Sequence, residues 1–90
     1  NEIAPRVHNS GHLTINAYNI SQFENHIRAV CSLEKITVKK LQNAEMINII
    51  GDQIIKFREN PKLNNNQFLF DYLKKDIKEK RKMGHLTTLK

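Results

Sequence analysis

The chain has 90 residues, 39% of them hydrophobic, with a formal charge of +6 and a single cysteine. That suits one small domain or a piece of a larger one, with apolar content for a modest core and too much of it for a disordered tail. No apolar run approaches the ~18 residues of a membrane helix, no signal-peptide pattern opens the chain, and Cys31 alone cannot close an internal disulfide, which fits a reducing cytoplasm.

The first twelve residues, Asn1–His12, hold a carboxylate, a guanidinium, two imidazoles, two amides, a hydroxyl and a Gly. Burying so many polar groups is costly unless each is hydrogen-bonded, so the stretch reads as a short strand, Glu2–Arg6, leading into a ligand-facing loop at His8–Gly11. Pro5 and Gly11 suit a bend on either side. Leu13, Ile15 and Ala17 alternate with Thr14, Asn16 and Tyr18, the pattern of a half-buried strand, expected to pair with Glu2–Arg6.

Ser21-Gln22-Phe23-Glu24 fits the S-x-x-E capping box, in which Ser21 caps the first turn and Glu24 reaches back to the Ser21 amide. Phe23, Ile27, Val30 and Cys31 follow on one helical face, so a helix is expected to about Leu33, with Cys31 a small core residue and His26 at the boundary. Residues 34–43 carry a short Ile36/Val38 alternation, a strand or an extended connector, and a domain boundary is placed here. Ala44–Ile50, nearly continuous in apolar residues and ended by Gly51, is expected to be a buried strand. A short helix over Gln53–Arg58 should end at Asn60-Pro61, and Asn64–Asn66 reads as a loop. Phe68, Phe70 and Tyr72 alternate in a further strand, a basic turn follows, and Met83–Leu89 is the last strand.

Charge is concentrated in that turn: Lys74, Lys75, Lys78, Lys80, Arg81 and Lys82 stand against Asp76 and Glu79. The charge implies an anionic partner or merely a soluble surface. A small nucleic-acid-binding module is one candidate, although the turn lacks interleaved aromatics and any nucleic-acid motif. His8 and His12 would suit zinc only on a helix, which Gly11 opposes. Arg6, His8 and Asn9 form a more plausible set, a planar fork and two hydrogen-bonding side chains for a carboxylate-like anion. Glu2 beside Asn1 offers hard oxygens suited to Mg²⁺, but spacing alone favours an ordinary surface carboxylate.

Asn1–His12, Ser21–Val30 and Arg81–Thr87, with a weaker match through Ala44–Gly51, together resemble the carboxyaminoimidazole ribonucleotide synthetase family of purine biosynthesis, in the ATP-grasp superfamily. The resemblance implies an α+β chain. Residues 1–33 would be the end of an ATP-grasp domain, strands plus one helix, and residues 34–90 a small β-rich domain like a barrel-sandwich hybrid. It also implies an enzyme that uses ATP, Mg²⁺ and bicarbonate to carboxylate aminoimidazole ribonucleotide through carboxyphosphate, as a cytoplasmic homodimer with no nucleic-acid or membrane partner. Asn1 and Glu2 then lie in the ATP site, with Glu2 a magnesium ligand. Arg6, His8 and Asn9 become the catalytic set near the bicarbonate and aminoimidazole site, and Ser10 a contact to the ribonucleotide. Lys75 and Arg81 become holders of its 5′-phosphate. The family's usual Tyr-Gly before the lysine is here Leu73-Lys74, which makes the placement of Lys75 a matter of register. The absent initiator Met leads us to expect a fragment, inactive by itself.

Overall fold

The computed structural model describes residues 6–90, so the expected strand at Glu2–Arg6 and the side chains of Asn1 and Glu2 fall outside the described residues apart from Arg6. The chain is α+β and divides into two compact units between Ala44 and Glu45.

In the first unit a 3₁₀ turn over Asn9–Gly11 leads directly into α1, Thr14–Ala17. The strand expected over Leu13–Tyr18 is therefore mostly helix. The turn propagates, with His12 N–H donating to Asn9 O at 3.1 Å, Ile15 N–H to His12 O at 3.1 Å and Ala17 N–H to Leu13 O at 3.1 Å. Over so few residues the alternation of Leu13 with Ala17 also satisfies the i, i+4 spacing of one helical turn, and local hydrogen bonding decides between them. Helix α2 covers Gln22–Val30. Its cap works as expected on one side: Ser21 Oγ accepts from Glu24 N–H at 3.1 Å. The Glu24 carboxylate turns forward to Arg28, 2.8 Å away, and does not close the box. The helix stops before Leu33, since Cys31 caps it and Ser32 takes a φ of 56°.

The apolar stripe of α2 exists but is not core. Ile27 is 57% and Val30 70% exposed, and Cys31 is exposed as well, contrary to its expected burial. Among the described residues this unit buries only Ala17 and Ile20 as apolar side chains, too little to supply a layer over α2. Residues 34–43 form no strand; they run alongside Tyr18–Ile20, held by Asn19. That side chain donates to Thr37 O at 2.9 Å and accepts from Lys39 N–H at 2.7 Å, while Tyr18 bridges Lys40. The connector thus belongs to the first unit.

The second unit is an open three-stranded sheet in the order β1-β3-β2, with β1 at Ala44–Ile50, β2 at Gln67–Asp71 and β3 at Lys82–Leu89, plus helix α3 at Gln53–Glu59. β2 runs antiparallel to β3. So does β1, because Gly51 N–H reaches Arg81 O at 2.8 Å at one end and Glu45 meets Lys90 at the other. Ile49, Ile54 and Met83 form the core, with Phe57, Leu69 and Leu86 packed against them. β1 is an edge strand with alternating burial rather than the expected buried strand, and Ile47 is 53% exposed. On β2 the core face is Leu69, opposite Leu86, so Phe68 and Phe70 point outward. Helix α3 ends where Pro61 forces Asn60 out of helical geometry. No helix among the described residues is long and apolar enough to cross a membrane.

Candidate functional site

The first cluster is the His8–His12 loop. His8 has an extended backbone and caps the 3₁₀ turn, its Nδ1 accepting from Ser10 N–H at 3.3 Å with the Ser10 hydroxyl at 3.0 Å. Gln22, the first residue of α2, reaches back to the loop. Its Oε1 accepts from His8 N–H at 2.9 Å, and its Nε2 donates to His8 O and to His12 Nδ1, both at 2.7 Å. Thr14 closes the frame, its hydroxyl donating to Gly11 O at 2.6 Å and accepting from Gln22 N–H at 2.9 Å. The approach is close: a Cβ at Gly11 would stand 2.5 Å from Gln22 Oε1 and push that side chain aside. His12 stacks on Phe23 with ring centroids 5.4 Å apart.

Arg6 is exposed, with Nη1 donating to Val7 O at 3.2 Å. It lines a shallow cleft of about 280 Å³ with Gln22, Asn25 and His26. The structure thus joins His8 and Ser10 directly, and brings Arg6 to Gln22 and His26 rather than into contact with His8. Gln22 has no role in the sequence pattern, and His26, expected as a boundary residue of the helix, lines the cleft. The capping box accounted for Ser21 and Glu24 and left no signal for the residue between them. Among the described residues no group of three His, Cys, Asp or Glu side chains could hold a metal.

The second cluster is the basic turn between β2 and β3. Arg81 is half-buried at its base, with Nη1 donating to Asp76 O at 3.1 Å and its own N–H to Lys78 O at 3.1 Å. Lys75 is exposed, whereas Lys74 is held, its Nζ 2.8 Å from Lys82 O and 5.5 Å from the Tyr72 ring centroid. Tyr72 in turn meets the buried His85, its hydroxyl 2.9 Å from Nδ1, and Phe70 stacks on the same imidazole at 5.4 Å. Asp71 anchors the start of the turn. It takes a two-pronged ion pair from Arg58 at 2.8 and 2.9 Å and accepts from Leu73 N–H at 2.8 Å. The hydrogen bond from Arg58 holds the Asp71 carboxyl below its ordinary range, against an opposing push from burial, with the Leu73 amide assisting. Leu73 has a φ of 58°, a conformation that a glycine adopts without strain. A larger cleft of about 530 Å³ lies nearby, but its lining of Asp52, Glu79 and Lys80 beside Gly51 and Gln53 is mixed in charge and contains neither Arg81 nor Lys75.

Residues 44–90 match the sequence profile of the phosphoribosylaminoimidazole carboxylase C-terminal domain, just over half of the chain. The chain belongs to the phosphoribosylaminoimidazole carboxylase C-terminal domain family. Residues 1–23 match the ATP-grasp domain profile. The chain is 47% identical over 90 residues to N5-carboxyaminoimidazole ribonucleotide synthase of Bacillus subtilis, covering all of this chain and 24% of that protein. The synthase of Brucella melitensis is also 47% identical, over 92 residues, and is covered to 25%. This family member therefore spans about a quarter of the length of the curated relatives it matches.

Solved structures agree. An ADP complex of an N5-carboxyaminoimidazole ribonucleotide synthetase is 41% identical with a TM-score of 0.91, over 100% of this chain and 24% of that one. The Aspergillus clavatus synthase in complex with ADP and 5-aminoimidazole ribonucleotide is 36% identical with a TM-score of 0.85, over 94% of this chain and 24% of that one.

Proposed function

We propose that this chain is the C-terminal quarter of an ATP-dependent ligase that carboxylates aminoimidazole ribonucleotide in purine biosynthesis. The observation that carries the reading is the likeness, over 94% of the chain, to a synthase solved with ADP and 5-aminoimidazole ribonucleotide. In this scheme a bicarbonate oxygen attacks the γ-phosphorus of ATP, releasing ADP and forming carboxyphosphate. The ribonucleotide amine then attacks the carboxyl carbon, expelling phosphate and losing a proton. Such an intermediate needs fixed donors and excluded water. Arg6, His8 and Asn9 are assigned to the bicarbonate and aminoimidazole end, and Ser10 to the ribonucleotide. Asn1 and Glu2 are assigned to ATP, with Glu2 ligating the Mg²⁺ that would neutralise phosphate charge. The exposed apolar face of α2 supports placing residues 1–33 at the edge of a larger ATP-grasp domain. We place the boundary to the C-terminal domain at the end of the connector 34–43, where the chain divides into its two units. The intact enzyme is taken to be a cytoplasmic homodimer.

Arg81 is assigned to the ribonucleotide 5′-phosphate, because a guanidinium can bind it through two parallel hydrogen bonds. Register counted back from Gly84-His85 puts its lysine partner at Lys75. The left-handed backbone at Leu73 supports reading Tyr72-Leu73 as the family's Tyr-Gly, which moves the phosphate lysine to Lys74. Steady-state kinetics of the intact enzyme test both assignments. Arg81→Ala should raise the KM for ribonucleotide ~30-fold or more and leave that for ATP nearly unchanged, while Arg81→Lys recovers part of the loss. Lys74→Ala should behave like Arg81→Ala and Lys75→Ala like wild type; the reverse order would restore Lys75. Equal effects on both substrates would remove Arg81 from the phosphate site.

A further inference from the structure

We propose that Gln22 is a positioning residue that clamps the His8–His12 loop and fixes His12 as its Nε2–H tautomer. The role of the loop in carboxylation rests on the functional reading above; the tautomer does not. Counting donors fixes the tautomer. The His8 peptide N–H can only donate, so the Gln22 atom facing it at 2.9 Å is the amide oxygen. The other amide atom is then nitrogen, which suits its second partner, the carbonyl of His8 at 2.7 Å. An amide nitrogen has two hydrogens and no acceptor capacity. One goes to the His8 carbonyl, and the other points to His12 Nδ1 at 2.7 Å. His12 Nδ1 must accept that hydrogen bond and be unprotonated, which puts the ring proton on Nε2. Protonating Nδ1 would set two donors face to face at 2.7 Å.

His8 obeys the same logic with a different partner. Its Nδ1 faces Ser10 N–H at 3.3 Å, another group that only donates, and the Ser10 hydroxyl at 3.0 Å can donate to the same nitrogen. Both imidazoles of the loop are therefore held with Nδ1 as acceptor and the proton on Nε2. A ring in that state gives a hydrogen bond from Nε2 and cannot take a proton there. With Nδ1 engaged on both rings, the loop holds its imidazoles in a fixed orientation and does not present Nδ1 as a general base. The clamp also explains Gln at this position: Glu has the same shape but no donor, and would present a carboxylate oxygen to the His8 carbonyl.

The test uses the intact enzyme with ¹⁵N-labelled histidine and long-range ¹H–¹⁵N correlation at neutral pH, the His12 signals being identified by their loss in His12→Asn. We expect His12 Nδ1 in the unprotonated range and Nε2 in the protonated range. An Nδ1–H tautomer or an imidazolium in the wild type would overturn the proposal, and this measurement needs no Gln22 variant to fold. In Gln22→Glu the carboxylate accepts where the amide donated, so His12 should gain a proton at Nδ1; an unchanged tautomer would overturn the clamp. The same variant should lose about tenfold or more in kcat with the KM for ATP within about twofold, the scale of one or two lost hydrogen bonds in a preorganised site. An unchanged kcat would remove Gln22 from the positioning role. Absence of carboxylation by the wild-type enzyme would defeat the functional reading, while the spectrum would still judge the clamp.

Discussion

Gly84→Ala should be the most damaging small substitution in the second unit. Gly84 is buried on the central strand β3, opposite Asp71 of β2. A Cβ added there would stand 2.4 Å from Phe70 O, with Phe70 C and Asp71 Cα both at 3.3 Å. The nearest atom is a backbone carbonyl about 1 Å inside the 3.4 Å of ordinary contact, so no rotamer change can relieve it. The strands must part by a similar distance, which loosens the pairs Phe70–His85 and Asp71–Gly84 and the stacking of Phe70 on His85. Overpacking costs ~1–3 kcal/mol and one weakened backbone hydrogen bond a further ~0.5–1.5 kcal/mol, so the sum is about 1.5–4.5 kcal/mol. At ~4–8 °C per kcal/mol for a chain of this size, Tm should fall by roughly 6–36 °C in a calorimetric or circular-dichroism melt of the chain. A Gly84→Ala chain melting within about 2 °C of wild type would refute the close approach of β2 to β3 on which this reasoning rests.

Two further outcomes are expected. Because Arg58 holds the Asp71 carboxyl below its ordinary range, the ion pair stabilises the fold fully above the unfolded carboxylate value of about 4, and that contribution is lost as pH falls through the lower folded value. Asp71→Asn should therefore lower Tm at neutral pH and converge with wild type in acid, and parallel Tm–pH curves would contradict the coupling. If Glu2 holds Mg²⁺ as proposed, Glu2→Gln in the intact enzyme should reduce turnover ~100-fold or more, with a normal rate and normal magnesium dependence as the contrary result.

Elements with explicit start and stop signals were legible in the sequence. Ser21 and Glu24 marked the start of α2, Pro61 the end of α3 and Gly51 the end of β1, and β3 lies within one residue of its expected span. What failed were readings that depend on a partner surface. Alternation on β2 separates Phe68 and Phe70 from Leu69, but only the pairing of Leu69 with Leu86 decides which set meets the core. The stripe on α2 was read correctly as a stripe and wrongly as buried, since burial needs a facing layer that the described residues do not supply. The helix at Thr14–Ala17 is hidden because one helical turn and a short strand share the same apolar positions. For the loop, the sequence displayed the imidazoles, hydroxyl and amides that bear chemistry. Gln22 escaped because its partners are mainly the backbone of a segment fourteen residues earlier, which no local pattern encodes.

The central claim, that this chain is part of a ribonucleotide-carboxylating ligase, is tested most directly by ADP release from the intact enzyme carrying it. Aminoimidazole ribonucleotide and bicarbonate should be varied in turn, with the 90-residue chain assayed alongside. The account predicts ADP release that requires both substrates in the intact enzyme, and a rate equal to the buffer blank for the chain alone. ADP release indifferent to the ribonucleotide, or turnover by the isolated chain, would contradict it.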